Sequence, residues 1–139
     1  MEVNLNICPV FGVHYTNTIY TTLTKQHPIQ PTHISENLHL IPSTLDLSGA
    51  EIELSTETGR EYILKETLEQ TQHQYHYILI DSPPSLGLLT LNALTACDAV
   101  LIPLQCEFYA LEGLAHLLKT IKLVRANLNP AITIQGVVL

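Results

Sequence analysis

Cations are scarce in this sequence: four lysines and two arginines stand against 13 acidic residues, giving a net charge of −7. A chain this acidic has little with which to neutralise phosphates, so by itself it is a poor match to DNA or RNA. Cysteines are few and unmatched. Cys8, Cys97 and Cys106 form an odd set with no C-x-x-C pair, which argues against a disulfide framework and for reduced thiols. No stretch approaches eighteen apolar residues, and the first residues, MEVNLNICPVFG, lack the basic start and small-residue cleavage pattern of a signal peptide. A cytoplasmic protein without a membrane partner is expected. The 139 residues are 46% hydrophobic, enough to bury one core and hardly two, so residues 1–139 read as a single domain or part of one.

What is present centres on residues 75–91, YHYILIDSPPSLGLLTL. Residues 77–80 are apolar on both faces and too few for a helix, which suits a central parallel strand buried on both sides. Asp81 ends that strand, and Pro83 and Pro84, which cannot donate ladder hydrogen bonds, hold the next loop extended. Ser85 can then cap a helix over residues 86–97. A carboxylate at the carboxyl end of a buried parallel strand, beside a helix start, is where open α/β sheets place ligand chemistry. It is also the layout of a Walker B element, whose Asp holds Mg²⁺ through water.

The remaining chain alternates in the same way. Val3, Leu5 and Ile7 alternate as in a strand before Pro9 and Gly12, so residues 1–17 are expected to be an edge strand or disordered. Thr16 or Asn17 can cap a short helix with Ile19, Tyr20 and Leu23, followed by a polar loop over residues 26–35. A strand is expected over 38–41, ending at Pro42, and then a helix with Asp46 as N-cap and Leu47, Ala50, Ile52 and Leu54 on its apolar side. Gly59 breaks that helix, and Ile63, Leu64 and Leu68 begin another that fades at 70–74. A strand over 99–102 stops at Pro103. Leu111, Leu114, Leu117, Leu118, Ile121, Val124 and Leu128 then mark a strong amphipathic helix, and a further strand starts at Ile132. The pattern predicts an α/β fold with a parallel sheet.

Other candidate groups have plain readings. The His73-x-x-His76 pair lacks a Cys or acidic partner at ligand spacing and reads as solvated loop histidines. Ser82 and Ser85 lack the Gly-x-Ser-x-Gly setting of a nucleophile elbow and read as turn or cap residues. Cys106 beside Glu107 is either a reactive thiol or, more simply, a partly buried inert one. Glu51, Glu53, Glu57, Glu61, Glu66 and Glu69 read as solvated helix faces. A lone Asp ending a strand is a turn residue as readily as a metal ligand, so Asp81 needs more than its position.

That support comes from a resemblance. YILIDSPPSLGLLTLNAL followed by DAVLIPLQCEFYALEGL, with the upstream DLSGAEIELSTETGREYILKETLE, resembles the ParA family of partition ATPases, including Soj-like proteins, the deviant Walker A relatives of MinD. The resemblance covers residues 18–139 and about half of a typical family member. It implies a doubly wound, P-loop NTPase-like parallel sheet, incomplete here. It also implies ATP and Mg²⁺ as cofactors, an ATP-dependent homodimer, a ParB-type partner, nonspecific DNA binding by the intact protein and association with the nucleoid. By the same resemblance Asp81 falls on the Walker B carboxylate, with Mg²⁺ held indirectly, and Pro83 and Pro84 on the proline pair behind it. Gln105, Glu107, Tyr109 and Gly113 fall on the third motif, near the nucleotide and the dimer face.

The departures from the family pattern matter equally. A P-loop needs a Gly-rich turn around the phosphates, with a Lys and then a Ser or Thr for Mg²⁺. Lys25, Lys65, Lys119 and Lys122 lie in TKQ, LKE, LKT and IKL, and none follows such a turn. In the family the P-loop, its signature lysines and the D-x-D-P-Q segment lie upstream of the matched region, and the adenine contacts and basic DNA-binding residues lie downstream. The expectation is a fragment of a ParA-type ATPase that carries the Walker B region, binds no nucleotide and hydrolyses no ATP alone. The alternative is a non-catalytic module that binds a full-length ParA-type relative or a ParB-type partner. A P-loop reading frame just upstream in the genomic DNA, or its absence, separates the two. Without the strand that leads into the P-loop, residues 77–80 should be left with an unpaired apolar edge, unless residues 1–7 take the vacant place.

Overall fold

The computed structural model describes residues 2–9, 17–25, 27–82, 85–104 and 108–139. The apolar runs and stripes become strands and helices in the order β1 (Glu2–Pro9), α1 (Ile19–Lys25), β2 (Thr32–Ser35), β3 (Leu38–Ser43), α2 (Leu47–Glu53), α3 (Ile63–Glu69), β4 (Tyr77–Asp81), α4 (Leu88–Ala96), β5 (Ala99–Pro103), α5 (Phe108–Asn127) and β6 (Thr133–Val138). The strands form two separate sheets: four strands in the order β2-β3-β1-β4, and the pair β5-β6. Pairing is parallel except between β2 and β3. The fold is α/β, with mainly parallel strand pairing.

Three expectations about the strands need correction. First, β1 is interior rather than at an edge: it runs between β3 and β4, with Leu5 in register with Ile41 on one side and Ile80 on the other. The segment that alternates at Val3, Leu5 and Ile7 thus covers one edge of β4. Second, the polar loop expected over 26–35 contains β2, whose short antiparallel pairing to β3 places it at the outer edge of the sheet, where polar side chains are tolerated. Third, β3 runs through Pro42 to Ser43, and β5 includes Pro103. The register between β1 and β3 shifts between Leu5 and Pro9, an irregularity that lets a strand pass a residue lacking an N–H donor.

The main core joins Ile19 and Leu23 of α1, Ile41 of β3, Leu47 and Ala50 of α2, Leu64 and Leu68 of α3, and Leu89 of α4. A second cluster joins Leu94 of α4 to Ile121 and Val124 of α5 and Ile132 before β6. Along the α5 stripe, Ile121 and Val124 are buried, whereas Leu114, Leu117 and Leu118 are only partly covered. Ile52, expected on the apolar side of α2, is 78% exposed, because the helix turns Leu47 and Ala50 inward instead.

Helix termini are satisfied by residues other than those expected. Thr18 caps α1: its Oγ1 accepts from the Thr21 N–H at 3.3 Å, and Thr21 Oγ1 accepts from the Thr18 N–H at 3.1 Å, a reciprocal capping arrangement. Asp46 stands at the N-cap of α2 but its carboxylate makes no cap bond, accepting instead from the Thr44 hydroxyl at 3.3 Å. Ser85 does not cap α4, which begins after Gly87. There Glu51 Oε1, from α2, accepts from the Leu89 N–H at 3.2 Å, so a carboxylate expected in solvent meets the electropositive end of a helix. Buried Asn92 of α4 does the same for α3. Its Oδ1 accepts from the Leu64 N–H at 3.1 Å, while Nδ2 donates to the Arg60 carbonyl at 2.8 Å and the Leu88 carbonyl at 3.1 Å.

Candidate functional site

A cavity of about 370 Å³ separates β4 from β5, lined on one side by residues of β4 and on the other by residues of β5, with Ala93, Leu94 and Cys97 from α4 and its end. Asp81 and Ser82 stand at its carboxyl end, both exposed. Strand geometry explains the placement. Successive side chains on β4 point to opposite faces, so Ile78 and Ile80 pack into the main core while Tyr77, Leu79 and Asp81 share the other face. That face is open: Tyr77 is 67% and Leu79 56% exposed, and Leu101 on β5 is 60% exposed. Burial of β4 on both sides, expected from its composition, therefore holds for one side only, because no described element packs against the other.

Of the residues singled out for chemistry, Asp81 lies at the end of a strand beside the cavity, whereas Pro83, Pro84, Gln105, Cys106 and Glu107 fall outside the described residues. His73 and His76 are exposed, and among the described residues no group of three or more His, Cys, Asp and Glu side chains is placed to hold a metal ion. The cavity does not fit a nucleoside triphosphate. All six Lys and Arg residues lie within the described residues, and none lines it. Arg60 instead pairs with Glu61 at 3.3 Å, Arg125 Nε donates to the Ile132 carbonyl at 3.0 Å, and Lys25 lies 5.9 Å from the Tyr20 ring centre. A triphosphate entering this cavity would meet the Asp81 carboxylate with no cation to offset its charge. Cys97 also lines the cavity, and burial pushes its thiol up to about 11, which favours the protonated form.

Residues 3–134 match the family model described as AAA domain, a span that includes all of β1 but Glu2. The chain is 52% identical over 128 residues to the chromosome partitioning protein ParA of Myxococcus xanthus, covering 89% of this chain and 45% of that protein. To the sporulation initiation inhibitor protein Soj of Bacillus subtilis it is 59% identical over 104 residues, covering 75% and 41%. The chain belongs to this AAA-domain family and is of the ParA/Soj type. It spans somewhat under half the length of these two ParA/Soj relatives. Among solved structures, cobyrinic acid a,c-diamide synthase from Mycobacterium smegmatis, crystallised with an ATP analogue and magnesium, superposes with a TM-score of 0.88 at 34% identity, covering 99% of this chain and 60% of that one. A plasmid partition protein from Borrelia burgdorferi gives a TM-score of 0.79 at 25% identity.

Several residues that shape the surroundings of the cavity lay hidden in the sequence. Glu51 and Asn92 set the positions of α4 and α3, and Asn129 Nδ2 donates to the Leu94 and Cys97 carbonyls at 3.1 and 2.8 Å, tying the end of α4 to the end of α5. Asn92 did carry a signal. A single amide within LLTLNALTA has to find hydrogen bonds inside the protein once its neighbours are buried.

Proposed function

We propose that this chain is the Walker B portion of a ParA-type partition ATPase, in which Asp81 is the carboxylate that holds Mg²⁺ through water when a phosphate cradle is supplied from outside these 139 residues. The observation that carries the reading is the place of Asp81, at the carboxyl end of a parallel strand in a chain of the ParA/Soj type. Pro83 and Pro84 would shape the loop after it, and Gln105 and Glu107 would lie near the nucleotide and dimer face. In the intact protein the partners would be a second copy, a ParB-type protein and nonspecific DNA, in the cytoplasm at the nucleoid. Alone, the chain lacks the cations and the Gly-rich turn for ATP, and it is inactive.

Phosphate release with Mg²⁺ and ATP tests this, run beside the Asp81→Ala variant. The expected result is background for both. Turnover that disappears in Asp81→Ala would show that the chain builds a cradle of its own. Duplex DNA mixed with the chain alone should give no salt-dependent shift, given six cations against 13 acidic residues.

The lining of the cavity favours a second reading, a non-catalytic module that binds a full-length relative or its partner. Apolar strand edges, rather than charged side chains, make up most of that lining.

A further inference from the structure

Two histidines meet across the outer strand pair of the four-stranded sheet. His33 of β2 stands directly opposite His39 of β3 in the antiparallel register, and their ring centres are 5.3 Å apart with the planes at 74°. Tyr75 also packs edge-on against His39, at 5.7 Å and 70°. The strands explain the place. His39 shares a face of β3 with Ile41 of the main core and lies two residues nearer the amino end, in register with Val3, whereas Asp81 is in register with Asn6. The histidine pair is thus toward the amino ends of the parallel strands, and Asp81 is at their carboxyl ends.

His39 carries the decisive feature. Its Nδ1 is buried and has no hydrogen-bond partner among the described residues, although buried polar atoms are almost always paired. Ring-to-ring packing gives the imidazoles an apolar role but satisfies neither a buried nitrogen lone pair nor a buried N–H. A bound cation would satisfy the lone pair. An ion about 2.0–2.1 Å from one nitrogen of each ring, at tetrahedral angles, sets the ring centres roughly 5 Å apart, so the strands already stand at a suitable spacing and only the rings need to turn. His33 is exposed, which opens the pair to solvent.

We propose that His33 and His39 form a two-histidine site for a divalent transition metal of the Zn²⁺ class, with water in the remaining positions. Imidazole nitrogens suit Zn²⁺, Ni²⁺ and Cu²⁺, whereas Mg²⁺ and Ca²⁺ take oxygen ligands. No third His, Cys, Asp or Glu joins the pair among the described residues, so the site is an open one rather than a closed structural one. The net charge of −7 raises the local concentration of any cation. A bound ion fastens β2, whose one neighbour in the sheet is β3, to the strands behind it. The proposal does not depend on the nucleotide reading, because neither ligand belongs to the Asp81 site and no phosphate takes part.

Calorimetric titration of the full chain with Zn²⁺ provides the test, with Mg²⁺ as the control ion. His33→Phe keeps a ring against His39 but brings no nitrogen, and because position 33 is exposed the variant is expected to fold. The Zn²⁺ dissociation constant should rise about tenfold or more in His33→Phe and stay unchanged in His73→Ala, which removes one of the exposed loop histidines. Amide exchange in Thr32–Ser35 should slow on adding Zn²⁺ to the parent chain and not on adding Mg²⁺. Absence of Zn²⁺ binding, an unchanged constant in His33→Phe, an equal loss in His73→Ala, or unaltered exchange in β2 overturns the proposal. Equal affinity in the urea-unfolded chain overturns it too, by assigning the binding to scattered histidines rather than to the cross-strand pair.

Discussion

Among the described residues, the part of the molecule built on β2, β3, β1 and β4 buries ten apolar side chains in one cluster, whereas the part built on β5, α5 and β6 buries four. The difference follows from how many elements each can draw on. Four helices contribute to the first cluster, and α1 and α2 are fastened together by the Tyr20 hydroxyl, which donates to Glu53 at 2.8 Å. The second relies on one face of α5 and on Leu94 of α4, and leaves Ile134, Val137 and Val138 exposed. Helix α4 belongs to both, with Leu89 in one cluster and Leu94 in the other. Helices α1 to α4 thus share the larger cluster, and among the described residues β5 and β6 leave more apolar surface exposed.

The largest expected effect breaks or confirms that division. Ile121→Ala removes a fully buried side chain from the small cluster and should cost about 2–4 kcal/mol. If the clusters are separable, amide exchange should rise in β5 and β6 while β1 and β3 keep their protection. A uniform rise across both sheets would show that α4 makes them one cooperative unit.

Asn92→Ala addresses the link itself. It leaves the Leu64 N–H and two carbonyls without their partner in a buried setting, at a cost of about 2–3 kcal/mol. Urea unfolding should show a lower midpoint at unchanged slope. A loss under about 0.5 kcal/mol would mean that water replaces the amide and that α3 and α4 are less tightly coupled than their bonds imply.

Cys97 reports on the open side of the comparison. With its thiol raised from 9.0 to about 11 by burial, and further by the Asp98 charge, alkylation at pH 8 should be on the order of a hundredfold slower than in the urea-unfolded chain, read by site-resolved mass spectrometry. The sign for stability is fixed by the same shift. The folded state holds the proton more tightly, so this contribution is complete below about 9 and is lost as pH rises through about 11. Rapid alkylation would mean that the cavity admits water to the end of α4.

How much of this was legible in the sequence depended on how local its cause was. Residues 77–80 and 99–102 declared themselves as strands through composition alone, and the three- and four-residue steps from Leu111 declared α5. Asp81 was placed correctly at a strand end because Pro83 and Pro84 force the strand to stop. What was not legible came from partners far along the chain. Glu51 and Leu89 are 38 residues apart and Asn92 and Leu64 are 28 apart, so no local pattern distinguishes a capping Glu51 from a solvated one. The interior position of β1 was hidden for the same reason. Its brief alternation fits an edge or a centre equally, and the free edges of β3 and β4 decide.

The smallest effect tests the contact that holds α4 beside the cavity. Glu51→Gln keeps an acceptor but removes the charge facing the helix start, for a loss of about 0.5–1 kcal/mol. Gly87 bears on the same contact from the other side. Its backbone, at φ −88°, suits any residue, but an added Cβ would clash with Glu51 Oε1, so the carboxylate has to swing away. Gly87→Ala should therefore cost a similar amount by displacing Glu51 rather than by straining the backbone. Because both substitutions remove one interaction, the double variant should be no less stable than the worse single variant, to within about 0.3 kcal/mol. Additive losses in the thermal midpoints would separate the two residues. Gly87 would then be needed for chain entry into α4, and Glu51 would be only one of several groups that stabilise the helix start.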